Sequence, residues 1–288
     1  NALLEELANR GGPVDFPPLS SIYVGGGTPS LFRPHELARV FEGLRARFGL
    51  AERCEVTLEA NPGTIAELDD FPRWVDIGIN RFSIGAQSFV DEELRFLGRI
   101  HDGASAMSAV RRARATGATV SLDLIHSLPD QKVDALMESI ARAIDLGPEH
   151  ISAYTLSIEP ATAFGRARVA PMPDDGQAEF YARVRDELER AGYVHYEVSS
   201  FARSGRFALH NTLYWTGAYY LGLGAGAHSH LPHGASGHAM RRENVRAPEA
   251  FLSAAERGHF PASFEEVLDD LDVLAERVMV GVRTRFGL

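Results

Sequence analysis

Cysteine is nearly absent. One, Cys54, stands in 288 residues, so no disulfide can form within the chain. Neither a cysteine-based zinc finger nor a full thiolate set for an iron–sulfur cluster can be assembled from it. A chain without disulfides fits a reducing compartment, here the cytoplasm. Long apolar runs are missing too, and none approaches the roughly 20 residues of a membrane helix. Positive charge is not in excess. The net charge is −10, which argues against nucleic acid or an anionic membrane as partner. No secretory leader is visible, and no Met opens the chain. It starts on Asn1-Ala2-Leu3-Leu4, already in helical register, and closes on Thr284–Leu288 as a turn begins. We expect a segment trimmed at both ends, so missing targeting signals exclude little.

What is present suits a folded α/β protein. Hydrophobic residues make up 45% and charged residues 24%, enough for a buried core. The spacing predicts a helix over 1–10 and a strand over 21–24. Helix 34–48 follows, carrying Leu37, Val40, Phe41, Leu44 and Phe48. Strands are expected at 55–59, 81–85, 120–125 and 150–158, with helices near 90–97, 104–116 and 132–146 between them. Thr64 and Glu67 form a capping-box pattern for a short helix that Pro72 breaks or kinks. Strand and helix thus alternate, which implies parallel strands with helical crossovers.

Near Pro171–Asp175 the pattern changes. An amphipathic helix with Phe180, Tyr181, Val184 and Leu188 closes at Gly192, and Tyr193–Phe201 alternates as one strand. A last helix, capped by Ser263 and Glu266, carries Leu268, Leu271, Leu274, Val278 and Met279. We place a boundary at 168, giving domains 1–168 and 169–288.

The chemistry gathers at strand ends. Ile22-Tyr23-Val24 runs into Gly25, Gly26, Gly27 and Thr28, and glycines after a strand let the backbone turn tightly beside a ligand. No GK[ST] follows, so this is not a phosphate P-loop. Glu59, Gln87 and Asp123 interrupt β-type runs near their C-terminal ends, which form the ligand mouth in barrel-like α/β folds. Arg99 adds a guanidinium able to clamp a carboxylate. Both signs of charge beside a glycine turn suit a zwitterionic, ribose-bearing ligand such as S-adenosylmethionine. Taken singly, the glycines read first as a plain turn, and Glu59, Asp123 and Arg99 each read first as a cap or a structural ion pair; placement of several at strand ends is what favours a site.

Nine segments carry a family resemblance. They are GGGTPS (25–30), LEANPG (58–63), INRFSIGAQSF (79–89), LGRIH (97–101), LDLIHSLPDQ (122–131), PEHISAYTLSIEP (148–160), AGYVHYEVSSFAR (191–203), HNTLYW (210–215) and YLGLGAGAHS (220–229). In this order they closely resemble the HemW-type haem chaperones of the radical S-adenosylmethionine superfamily, also called coproporphyrinogen III oxidase-like. The resemblance implies an α/β fold, a partial (β/α)6 barrel with a smaller α+β C-terminal domain. It implies that Gly26, Gly27, Thr28, Glu59, Gln87, Arg99 and Asp123 bind S-adenosylmethionine. It also implies a [4Fe–4S] cluster, but the C-x3-C-x2-C motif that holds it is absent here and is expected upstream of Asn1. Cys54 reads as a small buried hydrophobe. Where the family reads GLPGQ, this chain has Ser127-Leu128-Pro129-Asp130-Gln131, which puts the geometry of that loop in question.

His210-Asn211-Thr212-Leu213-Tyr214-Trp215 matches the family's haem-associated HNxxYW motif. His210 is then a candidate axial ligand of haem iron, with Asn211, Tyr214 and Trp215 beside the macrocycle. Alone, the motif reads more readily as a hydrogen-bonded core histidine. His228, His230, His233 and His238 have spacing open to a metal site, although Gly, Ser and Pro around them favour a mobile loop. Arg241, Arg242 and Arg246 either face porphyrin propionates or are simply solvated. The implied function is binding haem and delivering it to haem-requiring proteins, membrane-associated respiratory enzymes among them. The alternative is oxygen-independent coproporphyrinogen III oxidation, in which a deoxyadenosyl radical abstracts hydrogen from propionate side chains.

Overall fold

The structure, a computed structural model, describes residues 1–10, 16–65, 71–234 and 238–287. Its elements begin with α1 (Ala2–Asn9), β1 (Leu19–Val24), α2 (Pro34–Phe48), β2 (Leu50–Ala60), α3 (Pro62–Ile65) and α4 (Phe71–Asp76). Then come β3 (Arg81–Gln87), α5 (Asp91–Phe96), α6 (Gly103–Ala115), β4 (Thr119–His126), α7 (Val133–Leu146), β5 (His150–Thr155) and α8 (Ala163–Arg166). The last third holds α9 (Asp174–Arg190), β6 (Val194–Glu197), β7 (Ser200–Ala202), α10 (Leu209–Trp215) and β8 (His228–His233). It ends with β9 (His238–Asn244), α11 (Pro248–Glu256), β10 (Ala262–Leu268) and α12 (Asp270–Gly281). Among the described residues no helix is long and apolar enough to cross a membrane.

Two compact units divide the chain. The first takes Ser21–Pro34 and Glu55–Ala208, the second Asn1–Ser20, His35–Cys54 and Leu209–Leu288.

The first unit is built on a partial barrel sheet of order β1-β2-β3-β4-β5-β7-β6. Strands β2 to β5 pair in parallel, while β7 and β6 run antiparallel at the end. One face is apolar. Phe82, Ile84, Val120 and Leu122 are fully buried there, as are Ala106, Ala109, Val110 and Ala113 on α6. Small residues at that helical spacing let α6 lie close on β3 and β4. Each large apolar side chain so buried contributes about 1.5–3 kcal/mol, and a leucine at Ala109 would push the helix off the sheet. Asp102 starts α6 by accepting from Ser105 N at 2.8 Å.

The other face is polar. Period 2 puts Glu55, Thr57 and Glu59 of β2 with Arg81 and Ser83 of β3, Ser121 and Asp123 of β4, and His150 and Ser152 of β5. At its lower end Arg81 pairs with Glu55 at 2.8 Å and donates to Ser121 Oγ at 2.9 Å. Beside them His150 bonds the Tyr196 hydroxyl at 2.8 Å. A strand with one apolar and one polar face is the alternation expected of a sheet lining an interior site.

Tyr193–Phe201 is a hairpin, β6 and β7, and not one strand. The alternation continues across the Val198-Ser199 turn, which carries no Gly or Asn to mark it. Pro72 sits in the first turn of α4, where a missing N–H is harmless; the residues between Ile65 and Phe71, where the break or kink is expected, lie outside the described ones. Thr64 lies inside α3, while Glu67 lies outside the described residues.

The second unit holds the antiparallel sheet β10-β9-β8, with α1 against α11 and α10 against α12. A buried polar knot ties it. Glu6 accepts from Gly224 N and Asn244 Nδ2, each at 2.7 Å, and pairs with Arg10 at 2.8 Å. Burial raises the Glu6 carboxyl, opposed by Arg10. The helix start expected at Ser263 and Glu266 is strand β10 instead. Asp269 caps α12, with Asp272 returning the bond as a capping box. The histidine-rich stretch is a strand pair and not a loop. His228, His230 and His233 lie on β8, and His238 opens β9. Pro232 is accommodated because β8 is an edge strand.

Candidate functional site

The glycine turn follows β1 directly. Gly26 (φ +81°) and Gly27 (φ +67°) are both left-handed, which L side chains avoid. Gly25 is needed for space: a Cβ there would lie 2.6 Å from Tyr23 Cε1 and 2.9 Å from Glu59 Oε1. Thr28 heads the short helical turn Pro29–Leu31 and accepts from Leu31 N at 3.1 Å.

Glu59, the penultimate residue of β2, is held from two sides. The Tyr23 hydroxyl donates to its Oε1 at 2.7 Å and Gly26 N donates to Oε2 at 3.2 Å. Burial, then the Glu59 charge, pushes the Tyr23 hydroxyl far up, so it stays a donor. Glu59 is opposite Ser83 in the sheet, and Ser83 Oγ donates to Asp123 Oδ2 at 2.9 Å. Burial pushes the Asp123 carboxyl up to about 6; Glu59 adds to this, while bonds from Ser83 and Ser152 oppose it. Tyr154, two residues beyond Ser152, is raised to about 12 by burial and by Asp123.

Gly26, Glu59 and Asp123 are therefore brought together at the strand ends. Gln87 and Arg99 make no hydrogen bond or ion pair with them among the described residues. Gln87 ends β3 with φ +67°. Arg99 follows α5, where burial lowers its guanidinium and leaves Nε without a hydrogen-bond partner. Tyr23, Ser83, Ser152 and Tyr154 were not among the expected residues. The signal for Ser83 was available, since it breaks an apolar β-run on the same face as Arg81, but serine is unremarkable in a strand.

The second set lies on α10, none of whose residues is buried. His210 and Tyr214 are one turn apart on one face, rings edge to face with centroids 5.0 Å apart. Tyr214 continues to Tyr220 at 4.6 Å, and Tyr220 bridges to His230. Partial desolvation of the half-exposed Tyr214 ring raises its hydroxyl to about 12, and burial lowers His230. Asn211 and Trp215 are half-buried one turn apart on α10. The histidines of β8 and β9 do not cluster for a metal, and no such group exists among the described residues. Arg241, Arg242 and Arg246 each have carboxylate partners: Glu266 and Glu276, Glu265, and Glu243. A cavity of about 390 Å³ in this unit, lined by Arg10, Arg47, Phe48, Arg242 and Phe260 among others, holds Arg242 of the arginine group but none of His210, Asn211, Tyr214 or Trp215.

Residues 2–143 match the profile of the radical SAM superfamily. The fold agrees: the solved structure of Escherichia coli coproporphyrinogen III oxidase (HemN), a radical SAM enzyme, superposes with TM-score 0.81 over 99% of this chain and 68% of that one, at 21% identity. The heme chaperone HemW of Escherichia coli K12 is 39% identical over 252 residues, 87% of this chain and 66% of that protein. HemW of Mycobacterium tuberculosis H37Rv is 36% identical over 294 residues, all of this chain and 73% of that protein. The chain has the fold of a radical SAM protein. Within that superfamily it belongs to the HemW family. It spans just under two thirds of the length of the Escherichia coli relative.

Proposed function

We propose that the full-length protein binds haem through α10 and passes it to haem-requiring proteins in the cytoplasm, and that its first unit binds S-adenosylmethionine. The observation that carries the haem reading is the His210–Tyr214 pair. A helix with no buried residue presents an imidazole and an aromatic ring on one face, a combination suited to iron and to a flat macrocycle. Family membership supports it.

The strand-end group fits S-adenosylmethionine. Glu59 and Asp123 offer acceptors for ribose hydroxyls or an ammonium, Gly26–Thr28 offers open backbone, and Arg99 Nε is a buried donor without a partner, suited to a carboxylate. Bound there, S-adenosylmethionine supplies an adenosyl sulfonium that one-electron reduction can cleave. A [4Fe–4S] cluster does not fit these residues. It needs three thiolates, and Cys54 is single and buried, so its ligands lie outside this segment.

Haem titration of the full-length protein and of its His210→Ala variant tests the reading. We expect the Soret band of wild type to shift on binding, and affinity to fall at least tenfold in the variant. An unchanged band and affinity would remove His210 from the site. Vinyl product from coproporphyrinogen, with stoichiometric 5′-deoxyadenosine, would make the protein an oxidase.

A further inference from the structure

Gln87 occupies a strained turn. Its φ is +67°, and Ser88 N donates back to Ala86 O at 2.8 Å. This three-residue turn, with a left-handed centre, is the rare and costly sense of the γ-turn. It shifts the register of β3 against β4 between Ile84 and Gln87. It also folds the side chain back over the strand: a Cβ on Gly85 would lie 2.7 Å from Gln87 Nε2. Strain of this kind persists only where surrounding contacts over-determine it.

The contacts are present and converge on one carboxylate. Ser88 Oγ donates to Glu93 Oε2 at 2.5 Å, and Gln131 Nε2 donates to Glu93 Oε1 at 2.8 Å. Ser88 Oγ accepts from Val90 N at 3.0 Å and lies 3.1 Å from Ser139 Oγ, which accepts from Phe89 N at 3.1 Å. Ser88, Glu93 and Ser139 are buried. Glu93 therefore joins the turn after β3 to the loop after β4, whose Leu128 N is held by Gln131 Oε1 at 3.2 Å.

We propose that Glu93 is a positioning residue of the adenosyl site, holding the turn that aims the Gln87 amide. This rests on the reading that Gln87 contacts S-adenosylmethionine. Glu93 itself touches no ligand; it acts through Ser88.

Calorimetric titration of the full-length protein with S-adenosylmethionine tests this as a double-mutant cycle. Glu93→Ala is expected to weaken binding at least tenfold in wild type and less than twofold in a Gln87→Ala background. Equal losses in both backgrounds would mean a general structural role and overturn the proposal. So would a Glu93→Ala affinity within twofold of wild type where Gln87→Ala binds weakly. Glu93→Gln, which keeps the volume and one acceptor, replaces alanine if that variant does not fold, and should fall between. Hydrogen exchange without ligand gives a separate readout. The Ser88 amide should exchange at least tenfold faster in the variant, with the Leu122 amide as internal reference; an unchanged rate refutes the clamp. If wild type binds no S-adenosylmethionine, the adenosyl reading fails and the positioning role with it, while exchange still decides whether Glu93 holds the turn.

Discussion

Tyr23 and Glu59 are locked together across two strands, hydroxyl to carboxylate at 2.7 Å. The bond leaves Glu59 Oε2 for Gly26 N, so the turn and the carboxylate are fixed as one body. Tyr23→Phe removes the donor and keeps the ring. One hydrogen bond to a charged group is worth about 1.5–3 kcal/mol, so we expect S-adenosylmethionine to bind roughly tenfold or more weakly. The bond is already made without ligand, so the melting temperature should fall as well, by roughly 2–4 °C per kcal/mol lost. Gly25→Ala, which drives a methyl into both partners, should abolish binding. Calorimetry on folded variants checks both.

Asp123 sets a pH dependence. Its carboxyl is raised to about 6 by burial and by Glu59, with Tyr23 and Tyr154 also facing it. A cationic, hydroxyl-bearing ligand prefers the ionised form. Affinity should therefore be constant above pH 7 and fall by up to about tenfold per unit below 6. Stability runs the other way. The folded state holds its proton more tightly than the unfolded chain, so this stabilisation is present in acid and lost as pH rises through 6. Asp123→Asn should flatten both profiles, read by titration and by denaturant melts between pH 5 and 8.

His150 acts with the opposite sign. Burial, with Arg81 beside it, depresses its imidazole to about 3, and Tyr196 bonds its neutral ring. The unfolded chain binds the proton more tightly, so stability is full above about pH 6.5 and falls toward pH 3. One such group contributes a slope of about 1.4 kcal/mol per pH unit. His126, lowered by burial to about 4, adds a second. In His150→Gln the acid limb of urea stability should be shallower by roughly one proton.

The sequence exposes some of this and hides the rest for physical reasons. Glu59 and Asp123 stand out because a charge inside a β-run is costly unless it serves something. Tyr23 does not, since tyrosine is a normal strand residue. Glu93 sits in Asp91-Glu92-Glu93, which reads as the usual acidic first turn of a helix. Its buried role depends on Gln131, 38 positions away. The parallel order of β2 to β5 follows from alternation with helices. β8, β9 and the true start of α12 do not, because Ser263-x-x-Glu266 mimics a cap within a strand. What local pattern omits is pairing between distant segments.

The loop that departs from GLPGQ shows the cost of the departure. Ser127 (φ +61°) and Asp130 (φ +58°), the two positions where the family has glycine, are both left-handed. The loop thus keeps a glycine-type backbone with side chains that resist it, at about 1–2 kcal/mol each before asparagine-like tolerance of aspartate is counted. Glycine would relieve that strain but gain about 0.5–1 kcal/mol of unfolded-state freedom. Asp130→Gly, at an exposed site, should therefore stabilise by about 0.5–1 kcal/mol, raising the melting temperature by roughly 1–3 °C. Ser127→Gly should gain less, because it forfeits the 2.9 Å bond between Ser127 Oγ and His126 Nδ1. Asp130→Val, β-branched and without a local hydrogen bond to offer, should destabilise by more than about 1 kcal/mol. Melting curves in that order, glycine above wild type above valine, are the expected result. Valine equal to wild type would show that position 130 does not hold the left-handed conformation.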